Sequence, residues 1–136
     1  MSIQIKSLTV GAPTIDNALA AQNDNFNVIP SANTVYDLYI APNDVPNKNV
    51  KTTIVKAIRL VNTGATSVTI NLYFNRPNAS GLYRRRLISP VNMSLPAGFL
   101  FIDNDEITLE PGDHLQGMAS VGGVVQYNIS GVERDA

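Results

Sequence analysis

The chain has 136 residues, a net charge of −1 and no cysteine. That is enough for one domain with a real core, and it excludes disulfides, thiol chemistry and Cys-based zinc sites. Hydrophobic residues make up 44% of the chain and charged residues 15%, so the sequence is not that of a disordered protein, and nothing global steers it to nucleic acid or anionic lipid.

Charge is scarce against the roughly 25% of an ordinary soluble domain. The polar surface must come from Asn, Ser, Thr and Gln, and a surface poor in Lys and Glu loses less when another protein covers it. The opening "MSIQIKSLTVGAP" lacks the uninterrupted apolar core of a signal peptide, and no run reaches transmembrane length. No membrane partner is expected, and the protein should stay in the cytoplasm where it is made until something else carries it out.

Along the chain, strand signals dominate. "IQIKSLTV" (3–10) alternates Ile3 and Ile5, then slips to Leu8 and Val10. Residues 11–33 hold few large apolar side chains and many Asn, and are expected to form an arm or long loop. Within them "TIDNALAAQNDNF" is the one helix candidate, with Thr14 or Asp16 as cap, too short to stand alone. Such an arm either orders on a neighbouring subunit or covers the end of its own domain.

"TVYDLYIA" (34–41) is β-branched and aromatic. "TTIVKAIRLVN" (52–62) puts Ile54, Ile58 and Leu60 on one face, interrupted by Lys56, and Val55, Ala57 and Val61 on the other with Arg59, which predicts a central strand. "VTINLYFN" (68–75) alternates Val68, Ile70, Leu72 and Phe74 against Thr69, Asn71 and Tyr73. With the Gly-containing "NTGATS" between them, these two strands are expected to pair as a hairpin. "LYRRRLI" is a short strand, and "SPVNMSLPAG", broken by two prolines, reads as a long connection. "FLFI" and "EITL" flank a polar "DND" corner, and "HLQGMAS" and "VVQYNISGV" flank "VGG" as a second expected hairpin. About eight or nine short strands at this spacing predict an all-β, antiparallel β-sandwich, with the jelly roll as one form of it, in a single domain over 1–136.

His114 is the only histidine. It follows Pro111-Gly112-Asp113 in "ITLEPGDHLQG", a corner that resembles the edge of a cupin metal site. A metal-binding cupin needs several imidazoles, so Pro111, Gly112 and Asp113 are expected to form a turn instead: Pro presets φ, Gly supplies positive φ, and Asp bonds backbone N–H groups. The lone His also removes the usual Ser-His-Asp and Cys-His pairs, and no phosphate-loop or zinc-protease motif is present. No catalytic residue, metal or cofactor is assigned. "DNDEITLEPGD" gathers Asp103, Asp105, Glu106, Glu110 and Asp113; oxygen ligands at this density suit calcium, but the glycine and closing glutamate of an EF-hand are misplaced. Arg84, Arg85 and Arg86 are candidate partner contacts, Arg84 and Arg86 facing one way and Arg85 the other. An edge strand whose charges block unwanted pairing reads equally well from the same residues. No aromatic interleaving supports nucleic acid.

"AIRLVNTGATSVTINLYFN", "RRRLISPVNMSLPAGFLFIDNDEITLEPGDHLQGMAS" and "VVQYNISGVE", within residues 57–134, resemble small virion structural proteins of tailed bacteriophages. The resemblance covers a little over half the chain and rests on strand and turn chemistry; the N-terminal part adds nothing to it. It implies a non-enzymatic capsid decoration or cement protein, made in the bacterial host cytoplasm and located in the virion. It further implies a homo-oligomer, a trimer first, against the major capsid protein or another virion protein. A tail or head–tail component is the alternative within that class. Outside it stands a carbohydrate-binding module or enzyme on a jelly roll, with Tyr73, Tyr83 or Tyr127 stacking on a sugar.

Overall fold

In a computed structural model the described residues are 3–8, 27–77 and 83–136, with residues 3–7, 83 and 84 described by their backbone alone. They form eleven strands: β1 (Ile3–Ser7), β2 (Tyr36–Ile40), β3 (Asn43–Asp44), β4 (Asn49–Asn62), β5 (Val68–Pro77), β6 (Tyr83–Leu87), β7 (Met93–Leu95), β8 (Leu100–Asp103), β9 (Ile107–Leu109), β10 (His114–Ala119) and β11 (Val125–Asp135). All pairings between them are antiparallel.

The first sheet runs β1-β11-β4, and the free side of β4 is filled end to end by β3, β9 and β8. The second sheet runs β2-β10-β5, with β6 and β7 sharing the free side of β5. With the broken strands counted as one each, both sheets are four positions wide. In chain order these positions alternate between sheets except where β3 is followed by β4 and β5 by β6, and the two terminal strands β1 and β11 lie side by side. This is the two-Greek-key order of a jelly roll, an antiparallel β-sandwich.

This order corrects both expected hairpins. The strands before and after "NTGATS" are β4 and β5, which belong to opposite sheets, as do β10 and β11 on either side of "VGG". A turn signal says that the chain reverses; it does not say whether the two arms bond to each other. Here both edges of β4 are taken by strands distant in sequence, β11 on one side and β8 and β9 on the other. The reversal instead closes around Asn62. Its buried side chain donates to the Thr66 and Leu95 carbonyls and accepts from Gly64 N–H.

The "DND" corner is likewise no hairpin. β8 and β9 both lie along β4, opposite Ile58–Val61 and Thr53–Val55. Nor is "SPVNMSLPAG" wholly irregular, since its Met93–Leu95 pairs with β5 as β7.

The face pattern of β4 also differs from simple alternation. A bulge opposite Ser130 and Gly131 leaves Lys56 outside the ladder. Thr53 and Val55 before it, and Ile58, Leu60 and Asn62 after it, are all buried, so the strand changes phase at Lys56. Lys56 stays exposed and meets Glu106 at 2.5 Å, beside the break between β8 and β9. Gly131 is what lets the bulge sit flat: a Cβ there would lie 2.2 Å from the Ile54 carbonyl oxygen.

The core lies between the sheets. Val55, Ile58, Leu60, Val125 and Ile129 from the first sheet face Ile70, Leu72, Leu115 and Ala119 from the second, all at 2% exposure or less. Burying each such Val, Leu or Ile stabilises the fold by about 1.5–3 kcal/mol. Of the segment 11–33 expected to be an arm, residues 11–26 lie outside the described residues. Residues 27–29 extend the β1 side of β11, with Tyr127 N–H donating to Asn27 and Ile29 N–H donating to Val125. Ile29 is fully buried in the core of its own chain.

Candidate functional site

The outer face of the second sheet carries a row of polar side chains that crosses four strands. In β10, Leu115 and Ala119 point inward, which turns His114, Gln116 and Met118 outward. In β5 the inward Val68, Ile70 and Leu72 turn Asn71, Tyr73 and Asn75 outward. A register shift in the β2–β10 pair lets Leu38 and Tyr39 both be buried and sets Asp37 opposite Gln116. On the far side, β6 places Arg85 opposite Asn75.

The row is held by directed hydrogen bonds. His114 Nδ1 and Gln116 Nε2 each donate to Asp37 Oδ1 at 2.8 Å. An ionised carboxylate only accepts, so Gln116 must turn its amide nitrogen to Asp37 and its oxygen the other way. That oxygen accepts from Asn75 Nδ2 and from Arg85 Nε, both at 3.1 Å. The Arg85 guanidinium also lies 5.3 Å from the centre of the Tyr73 ring, within cation–π range. Asn75 is 3% exposed and Gln116 8%, unusual for the outer face of a sheet. Asn75 Oδ1 is buried with no hydrogen-bond partner. Asp37, Asn75, Arg85, His114 and Gln116 line a shallow hollow of about 260 Å³.

The Glu110–Asp113 segment closes a tight turn at one end of the sandwich. Asp113 N–H donates to the Glu110 carbonyl at 3.0 Å, and Gly112 has φ of 85°. The turn is pinned to the residue after β2, with Gly112 N–H donating to Ala41 and Ala41 N–H donating to Asp113. The Asp113 carboxylate, 2% exposed, accepts from Glu110 N–H and from Arg76 Nε and Nη2. That contact, ahead of a smaller opposing effect of burial, holds the Arg76 guanidinium above its ordinary pKa.

The acidic stretch is distributed over several partners. Asp103 Oδ1 accepts from Asp105 N–H, Glu106 meets Lys56, and Asp113 meets Arg76. Among the described residues no three His, Cys, Asp or Glu side chains gather to hold a metal. Of the three arginines, Arg85 is committed to Gln116 and Tyr73, and Arg86 is exposed; the side chain of Arg84 lies outside the described residues. Tyr127 is 4% exposed between the sheets, where burial raises its pKa, so it is no sugar platform. The side chain of Tyr83 lies outside the described residues.

A second feature is apolar. At the β8 edge of the first sheet Phe99, Leu100 and Ile102 are 60%, 46% and 48% exposed. Leu100 borders a shallow depression with Arg59, Val61, Gln126 and Asn128.

Sequence reasoning missed Asp37, Asn75 and Gln116. Alternation in "VTINLYFN" already turned Asn71 and Tyr73 outward. That Asn75 meets Gln116, and Gln116 meets Asp37, depends on the registers of two strand pairs far apart in sequence.

No family model matches this sequence, and no curated protein matches it. Solved virus structures do. A chain in the structure of the infectious bursal disease virus Gx strain matches with TM-score 0.51 and 12% identity, over 100% of this chain and 34% of that one. A chain in the crystal structure of the T13 particle of the same icosahedral virus matches with TM-score 0.55 and 7% identity, over 97% of this chain and 30% of that one. The likeness is one of fold. This chain spans about a third of the length of those virus-particle chains.

Proposed function

We propose that this chain is a structural protein of a virion, and that it decorates the head of a tailed bacteriophage as a homo-oligomer, a trimer first, bound to the major capsid protein. The observation that carries the reading is the likeness in fold between this β-sandwich and chains of an icosahedral virus particle. Fold alone does not assign a role, and two further features support this one. The surface is poor in charge, and Phe99, Leu100 and Ile102 are exposed along an edge strand. Burial of such a strip, repeated by symmetry, adds up through avidity. The reading contains no catalytic step and no cofactor.

Arg86 on the open edge of β6 is the arginine offered to an acidic neighbour, with Arg84 on the same strand. Binding should therefore weaken with salt, because exposed ion pairs are screened over about 10 Å at 0.1 M, and it should persist in part, because salt does not weaken apolar burial. Light scattering of the purified chain and co-sedimentation with capsids lacking it form the test. A strict monomer that ignores capsids at every salt concentration overturns the reading; binding to tails instead would move the protein to the tail.

A further inference from the structure

We propose that the hollow on the outer face of the second sheet is a binding site for a neutral saccharide, with Arg85 as its displaceable cover. The inference is independent of the virion reading and rests on the polar row alone.

Arg85 starts on β6 and bonds Gln116 on β10, so its side chain must cross over the intervening strand β5. On the way it lies on the Tyr73 ring and passes over Asn75, its cross-strand partner. It is an exposed side chain on an edge strand, tied down by one hydrogen bond and one ring contact, and these are worth little each in water. Beneath it sits Asn75 Oδ1, buried and without a donor. A buried amide oxygen without a partner is costly, and no flip of the amide relieves it: Asn75 must turn its nitrogen to Gln116 Oε1, whose own orientation is set by Asp37.

When Arg85 swings aside, the hollow presents two neighbouring amide oxygens, Asn75 Oδ1 and Gln116 Oε1, beside the face of Tyr73. The chemistry that fits is a pair of hydroxyl donors on a ring with an apolar C–H face. Charge narrows the choice. An anion would meet Asp37 at the rim, and a cation would meet the guanidinium that has just moved aside. A neutral sugar meets neither penalty. Asn75 and Gln116 lie on the two central strands of the sheet, which disfavours an extended peptide, since peptides add to sheets at their edges.

The test is a titration of the full chain, labelled with nitrogen-15, with glucose, galactose, mannose, rhamnose and N-acetylglucosamine in turn, reading the side-chain amide signals of Asn75 and Gln116. At least one sugar should shift both signals saturably. Arg85→Ala should tighten that binding severalfold by removing the cover, and Asn75→Ala, its fold checked in the same spectrum, should abolish it. Methylguanidinium and N-acetylglycinamide serve as cationic and peptide controls. Saturable shifts with either control and none with the sugars overturn the proposal. So does the absence of any saturable shift in both the parent chain and Arg85→Ala, whose hollow is open by construction.

Discussion

The Tyr39 hydroxyl, on β2, donates to the Glu133 carboxylate, on β11, at 2.5 Å across the interior of the sandwich. The two residues are 94 positions apart and belong to opposite sheets. Thr53 on β4 joins them, its hydroxyl 2.8 Å from that of Tyr39. Glu133 is 4% exposed and Thr53 fully buried, so this polar contact ties the two sheets together inside the sandwich. Removing the donor should leave a buried acceptor short of a partner. Tyr39→Phe should lose about 1–3 kcal/mol in a urea titration; an unchanged midpoint would show that the contact contributes nothing.

Alkaline pH should weaken the fold. Burial, with the Glu133 contact next, raises the Tyr39 pKa above its ordinary 10.0, and burial raises that of Tyr127 likewise. Above about pH 10 the unfolded chain releases phenolic protons that the folded chain keeps, so stability is fully present below that pH and falls as pH rises beyond it. Denaturant titrations between pH 8 and 11 should show the decline, and Tyr39→Phe should make it shallower.

At the Glu110–Asp113 turn, Gly112→Val should cost more than ~1 kcal/mol, because a β-branched residue adopts a φ of 85° only under strain. Asp113→Ala should cost about 1–2 kcal/mol through the lost bond to Glu110 N–H. The freed Arg76 adds little, since it is half exposed and water takes over its charge. A negligible loss for both variants would remove the turn from the parts that hold the fold.

Gly131→Ala should be far worse. Its Cβ would meet backbone, the Ile54 oxygen at 2.2 Å and the Val55 Cα at 3.0 Å, and backbone in a ladder cannot step aside. A loss of at least about 3 kcal/mol, or failure to fold, is expected. Stability near that of the parent would mean that the β4 bulge is absent.

His114→Asn should leave the fold and any assembly largely intact, with a loss of up to about 1 kcal/mol for the bond to Asp37, which keeps its bond to Gln116. Zinc bound to the purified parent chain and lost in the variant would contradict this.

The class of fold was legible in the sequence because strand alternation is a local property. "VTINLYFN" sorts its own residues into an inner and an outer face, and Val68, Ile70 and Leu72 are indeed buried. What tertiary structure alone decided is partnership. Whether β4 bonds to β5 or faces it across the core depends on which distant strands occupy the edges of β4, and a turn sequence holds no trace of them. Lys56 stands outside the ladder only because Gly131 of β11 lies opposite. The polar row follows the same logic. Asp37, Asn75 and Gln116 are unremarked polar residues along the chain, and they join Arg85 in a site only when the registers of three strand pairs align them on one face.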